Sequence, residues 1–232
     1  MGRKRAVSWR ARIAALLLLA GLSAGGWAWW QGQHWVPLRA EFQIQGALIG
    51  AVDGTVSFDA LHAIGADFVY LEASQGATGR DSRFAANLQR VRDSGLRFGA
   101  VHNYDPCVPA ELQAANFVTT VPRDDALLPP VIALEAVAER CPDPVSEAAV
   151  ESEMTTFLNQ IEGHVGKPAV LKLSPEFEER YGIAGHIERN LWLARDWLQP
   201  DYAGRPWTLW TANSALRTEA HDEPVRWAVL QP

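Results

Sequence analysis

The sequence predicts an α/β protein: an irregular TIM-like β/α barrel of five βα units and three closing strands, set behind an N-terminal transmembrane helix. Three observations carry that expectation. Short apolar runs alternate with amphipathic segments along most of the chain, the order that parallel strands joined by right-handed crossovers require. Eight such apolar runs are present, which implies a closed barrel rather than an open sheet. An uncharged stretch of 18 residues, Ile13 to Trp30, precedes them all.

As a helix that stretch would be about 27 Å long, close to a hydrocarbon core of roughly 30 Å. Arg3, Lys4, Arg5, Arg10 and Arg12 lie before it, and Trp27, Trp29, Trp30 and Trp35 lie at or beyond its end. Cations on one flank and indoles on the other are the marks of a cytoplasmic N-terminus and an interfacial aromatic belt. The expected organisation is a basic cytoplasmic segment (1–12), a signal anchor (13–30), a stalk (31–41) and an extracytoplasmic barrel domain (42–232). A cleaved signal peptide is the alternative, with an apolar core at Ile13–Leu22 and a cut after Ala24.

Beyond the stalk, Phe42–Ile49 reads as a strand and Val56–Ile64 as a helix. Phe68–Glu72 is a strand, and a Gly/Thr/Ser-rich loop leads to a helix at Phe84–Ser94, ended by Gly95. Arg97–Asn103 is a strand, Glu111–Thr120 a helix, Val131–Glu135 a strand and Val145–His164 a long helix. Ala169–Leu173 is a strand and Pro175–Tyr181 a short helix. Leu191–Ala194, Trp207–Thr211 and Val225–Leu230 close the series without clear helices between them.

The net charge is −6, and setting aside the five cations of the first 30 residues leaves about −11 on the remainder. An acidic body argues against nucleic acid, which needs a basic face. Cys107 and Cys141 are the only cysteines. In an oxidising compartment they predict one disulfide, with two unpaired thiols as the alternative. Neither CxxC nor HExxH spacing occurs, so no metal is expected. No cofactor is expected either.

Pro129 and Pro130 bar a helix and force extended backbone into Val131-Ile-Ala-Leu-Glu135. The run delivers Glu135 at a strand's C-terminal tip, where barrel chemistry sits. Position 133, two residues back on the same face, is alanine. Other strand tips offer Glu72, His102, Asn103, Tyr104 and Asp105, followed later by Trp192, Trp210 and Trp227. Carboxylates beside aromatic faces suit a carbohydrate.

These segments resemble the family-25 glycoside hydrolases, lysozyme-like muramidases of peptidoglycan, over roughly Phe42 to Leu230. The likeness is an ordered series. Ile44-Gln-Gly46 opens it, and Ile64-Gly-Ala-Asp-Phe-Val-Tyr-Leu71 and Ala73-Ser-Gln-Gly-Ala-Thr78 follow. Next come Asp81-Ser-Arg-Phe84, Ser94-Gly-Leu-Arg-Phe-Gly-Ala100 and His102. Pro129-Pro-Val-Ile-Ala-Leu-Glu135, Lys167-Pro-Ala-Val170, Leu191-Trp-Leu-Ala194 and Pro206-Trp-Thr-Leu-Trp210 complete it. The resemblance implies that Glu135 corresponds to the family's general acid. It also implies losses. The aspartate two residues before that glutamate is Ala133, and the aspartate ending the first strand is Leu48. The loop glutamate after the second strand is Gln75, and the final Asp-x-Asn is Arg226-Trp227-Ala228. Glu72 stands where the family often has lysine.

A degenerate set of this kind predicts a peptidoglycan-binding domain with weak or no muramidase activity. The alternative is an active muramidase with Glu135 as general acid and Glu72 as second carboxylate, Asp105 and Asp53 standing next in line. A third reading is a scaffold for an envelope protein partner. His102, Tyr104, Asp105, Trp192 and Trp210 are the expected substrate contacts, with Trp227 filling space left by the lost polar groups.

Overall fold

The computed structural model describes residues 9–232. Arg3, Lys4 and Arg5 of the basic segment lie outside the described residues. Helix α1 (Trp9–His34) leads into a single closed barrel. Its elements are β1 (Gln45–Ile49), α2 (Phe58–Ala63), β2 (Phe68–Gln75), the two-residue β3 (Gly79–Arg80), α3 (Phe84–Val91) and β4 (Arg97–Asn103). There follow α4 (Ala110–Thr120), β5 (Val131–Leu134), α5 (Glu147–Val165), β6 (Val170–Leu173), α6 (Pro175–Tyr181) and α7 (Ile183–His186). Strands β7 (Asn190–Ala194), β8 (Leu209–Thr218) and β9 (His221–Leu230) complete the chain. Around the barrel the order is β1-β9-β8-β7-β6-β5-β4-β2, and β2 pairs back with β1 to close it. All neighbours are parallel except β9, which runs antiparallel to both β8 and β1.

Period-2 alternation divides each strand between two cores. Outward residues such as Ile49, Leu71, Ile132 and Leu134 pack beneath the helices. Inward residues fill the barrel: Leu48, Phe68, Tyr70, Val101, Val131, Ala133, Val170, Trp192, Leu209 and Ala228. Two glycines make room for the inward rings. A Cβ on Gly46 would lie 2.2 Å from the Phe68 carbonyl oxygen, and one on Gly99 would lie 2.3 Å from the Tyr70 ring. The helices begin on serine caps. Ser57, Ser146 and Ser174 accept from the backbone of Ala60, Ala149 and Phe177, satisfying N–H groups that a first turn leaves free.

The sequence expectation of eight barrel strands holds, with differences at the edges. The β8–β9 hairpin is longer than the apolar runs foretell, since its polar half extends past the barrel rim. The expected stalk is not slack chain. Residues 31–34 continue α1, and Trp35 packs 6.3 Å from Trp210. Gln45 fixes the rest from below, donating to the carbonyls of Pro37 and Phe42.

Cys107 and Cys141 form the expected disulfide, joining the loop after β4 to the loop after β5 across 34 positions of sequence. In the chain-entropy account a closure of that length is worth about 3–4 kcal/mol. Replacing both cysteines with serine is therefore expected to lower unfolding free energy by about that amount, read from the urea midpoint of the oxidised and variant proteins.

Candidate active site

The C-terminal ends of the parallel strands form the mouth of the barrel, and Glu72, Asp53 and Glu135 there are already paired with cations. Arg226 enters from β9, level with Leu48 on β1. Its guanidinium donates to Glu72 on β2 and, at 2.9 Å, to Oδ2 of Asp53 in the turn after β1. Asp53 is buried and also accepts from the Gly50 backbone at 2.7 Å. Gly50 leaves space for this group, because a Cβ there would lie 3.0 Å from the Glu72 carboxyl. Burial works against the charge of Arg226, but Glu72 and Asp53 outweigh it and hold its pKa above the ordinary arginine value.

On the opposite wall Lys172 projects inward from β6 and donates to Oε1 of Glu135. The lysine side chain is only 12 % exposed, whereas that of Glu135 is 56 % exposed. Glu135 thus stands at the rim with the Lys172 ammonium on one of its carboxylate oxygens. In register, Glu72 is level with Val101 and Val101 with Val131, so Glu135 lies two strands across and four residues further along. That is roughly 16 Å between backbones along the sheet.

The other expected contacts are distributed differently, and four of them are corrected. His102 points outward from β4 into the barrel–helix layer and is fully buried. It bonds Ser74 Oγ at 2.8 Å and Gln113 at 3.2 Å, with Phe157 beside its ring. Tyr104 is buried against the same Phe157. Trp192 faces inward as expected but is sealed, 5.2 Å from Tyr70, its indole N–H donating to Thr211. Trp210 lies on the outer face among Trp35, Phe42 and Trp207. None of these four rings is open to a sugar. Asp105 serves its own turn, accepting from the Cys107 backbone. Trp227 also faces outward, donating to Gln45, so the inward space is filled by Leu48, Tyr70, Trp192 and Arg226 instead.

Sequence reasoning missed Lys172 as a site residue and took Arg226 only as a lost aspartate. Both were findable from alternation. Lys172 shares its strand face with Val170, and Arg226 shares its face with Ala228. A polar cleft of about 280 Å³ opens beside Glu72, lined also by Ser74, Gln75, Asp81 and Asn103.

A closed barrel with acids at the C-terminal ends of its parallel strands is the TIM-like class of β/α barrel. Residues 49–219 match the family described as Glycosyl hydrolases family 25, and the chain belongs to that family. A family 25 glycosyl hydrolase from Bacillus anthracis superposes with a TM-score of 0.77 at 24% identity, covering 85% of this chain and 92% of that one. The lysozyme of Streptomyces coelicolor gives 0.71 at 19% identity, covering 82% and 92%. Among curated proteins, the uncharacterised protein YegX of Escherichia coli K12 is 26% identical over 165 residues, 70% of this chain. The match spans 58% of the length of YegX. Lysozyme M1 of Streptomyces globisporus is 26% identical over 96 residues, 40% of this chain and 33% of its own.

Arg226→Met would leave Glu72 and Asp53 facing each other without their cation. An expected loss of about 2–3 kcal/mol, below the fully buried case because the guanidinium is partly exposed, is read by denaturant unfolding. Adding Glu72→Gln should recover part of it. His102 supplies a pH prediction. Burial lowers its pKa to about 4, against the model-peptide value of 6.5, and the Gln113 bond only partly opposes this. The unfolded chain therefore takes up a proton that the native one refuses, so stability falls as pH drops from 6.5 to about 4 and levels below. The check is an imidazole NMR resonance for His102 that titrates near pH 4 rather than 6.5.

Proposed function

We propose that this protein is a membrane-anchored, extracytoplasmic family-25 domain that binds peptidoglycan and cleaves it weakly or not at all. The observation that carries the reading is the pairing of Glu135, Glu72 and Asp53 at the mouth with inward cations. Glycoside hydrolysis needs a proton donor at the leaving oxygen and a second group to attack or to activate water. Glu135 is engaged by Lys172, and Glu72 and Asp53 by Arg226. The inward positions that would offer further acids are Leu48, Ala133 and Ala228. The cleft keeps amide, hydroxyl and carboxylate groups suited to a polar sugar chain, and the fold neighbours carry the names lysozyme and muramidase.

Anchoring is supported by α1. Arg12–His34 is long and apolar enough to cross a membrane, and its most apolar 18-residue window is not buried against the rest of the protein. Five cations at the N-terminal side support a cytoplasmic N-terminus. The second reading, an active muramidase using Glu135, draws on the exposure of that carboxylate at the rim.

Reducing-end release from purified peptidoglycan, with full-length wild type beside Glu135→Gln, separates the two. The expected result is no Glu135-dependent release together with co-sedimentation of both proteins with the glycan. Robust release abolished by the substitution would establish the muramidase instead.

A further inference from the structure

We propose that the face of the barrel around Trp197 and Leu198 sits in the lipid headgroup layer of the membrane that α1 crosses. The inference rests on the anchor reading above and adds to it a second, non-covalent contact with the bilayer.

The argument is one of height. The uncharged stretch of α1 ends at Trp30, and Gly32 follows about 3 Å further along the helix axis. The headgroup region adds roughly 5–7 Å on each side of the hydrocarbon core. Gly32 therefore lies within that layer when Trp27, Trp29 and Trp30 occupy the interface, where indoles concentrate. The barrel is bonded to the helix at this same residue. The Gly32 carbonyl accepts from Trp197 Nε1 at 3.2 Å and from Asn213 Nδ2 at 2.9 Å. A Cβ on Gly32 would lie 3.2 Å from the Trp197 ring. Asn213 also donates to the Trp35 carbonyl at 2.9 Å. Trp197 cannot leave the level at which the helix emerges without breaking these contacts.

The surface held there is rich in apolar side chains, with Glu41 and Gln199 interspersed. Trp197 is 51 % exposed and Leu198 59 %, and Leu38 and Val36 beside the helix end are 67 % and 39 % exposed. Single exposed apolar side chains are ordinary, but a group of them around one point marks a contact surface. A cleft of about 350 Å³ between Leu38 and Leu198 continues it. The loop is fixed in place. Trp197 is the one non-glycine residue with positive φ among those described, at 65°, and its N–H donates to Ala212. Asp196 next to it accepts from both the backbone and hydroxyl of Ser214. An indole with its N–H engaged and half its ring uncovered is the form that tryptophan takes at a water–lipid boundary.

The test is spin-label accessibility on the full chain in nanodiscs of phosphatidylethanolamine and phosphatidylglycerol. Both native cysteines are in the disulfide, so only an introduced thiol takes the label. Three single variants are compared: Leu198→Cys, Leu19→Cys within α1, and Ala115→Cys on α4, which lies across the barrel from β8. The expected result is a label at 198 several-fold less accessible to a water-soluble nickel chelate, and more accessible to oxygen, than the label at 115. A label at 198 that behaves like the one at 115, while the label at 19 reports lipid, overturns the seating and leaves the anchor standing. A label at 19 that reports water overturns both.

Discussion

Arg226 sits where closing the barrel and balancing charge at its mouth are the same problem. It belongs to the last strand, which must fit between the first strand and the hairpin partner for the sheet to close. Its two acceptors come from β2 and from the turn after β1, so one guanidinium binds together the beginning and the end of the chain. A partly buried cation with two anions is tolerable only as a set, since each charge left alone in the rim would carry an unpaid desolvation cost. The turn after β1, the room left by Gly50 and the direction of Glu72 all answer to that requirement.

Seen against the family resemblance, the mouth has exchanged charges rather than merely lost them. Glu72 stands where a lysine is frequent, and Arg226 stands where an aspartate is expected. The two inversions meet in one ion pair, so each compensates the other. Lys172 pairs with the rim carboxylate of Glu135 in the same manner. Structural electrostatics are satisfied locally by such pairs, while proton transfer needs groups free to change state. The arrangement keeps the fold electrostatically consistent, and the proposed binding role rests on it.

Most of the architecture was legible in the sequence, because a barrel strand buried on both faces leaves a continuous apolar run and a surface helix leaves a periodic one. Arg97–Asn103 and Pro175–Tyr181 begin and end in the structure where the sequence puts them. The site was less legible. Position along a strand gives height, but the sequence of a tip does not reveal which face a side chain takes after a bulge. The register shift between Glu72 and Ser74, which brings Ser74 onto the outward face beside His102, illustrates this. Tryptophans mislead for a related reason. Trp192, Trp210 and Trp227 each have a large apolar body and one N–H, and here each N–H finds an acceptor inside the protein. The outer half of the β8–β9 hairpin escaped notice because its residues are polar and mostly exposed.

The packing of Trp35 onto Trp210, and of Gln45 against the segment that precedes it, removes the free joint between helix and barrel. A loose ten-residue linker would let a domain wander over a root-mean-square distance of about 17 Å from its tether point. Without one, the domain has no search volume of its own. In the proposed membrane-anchored state, its encounters with a glycan strand would be set by lateral diffusion of the helix in the plane of the membrane, and any rotation of the helix about its axis would turn the barrel mouth through the same angle.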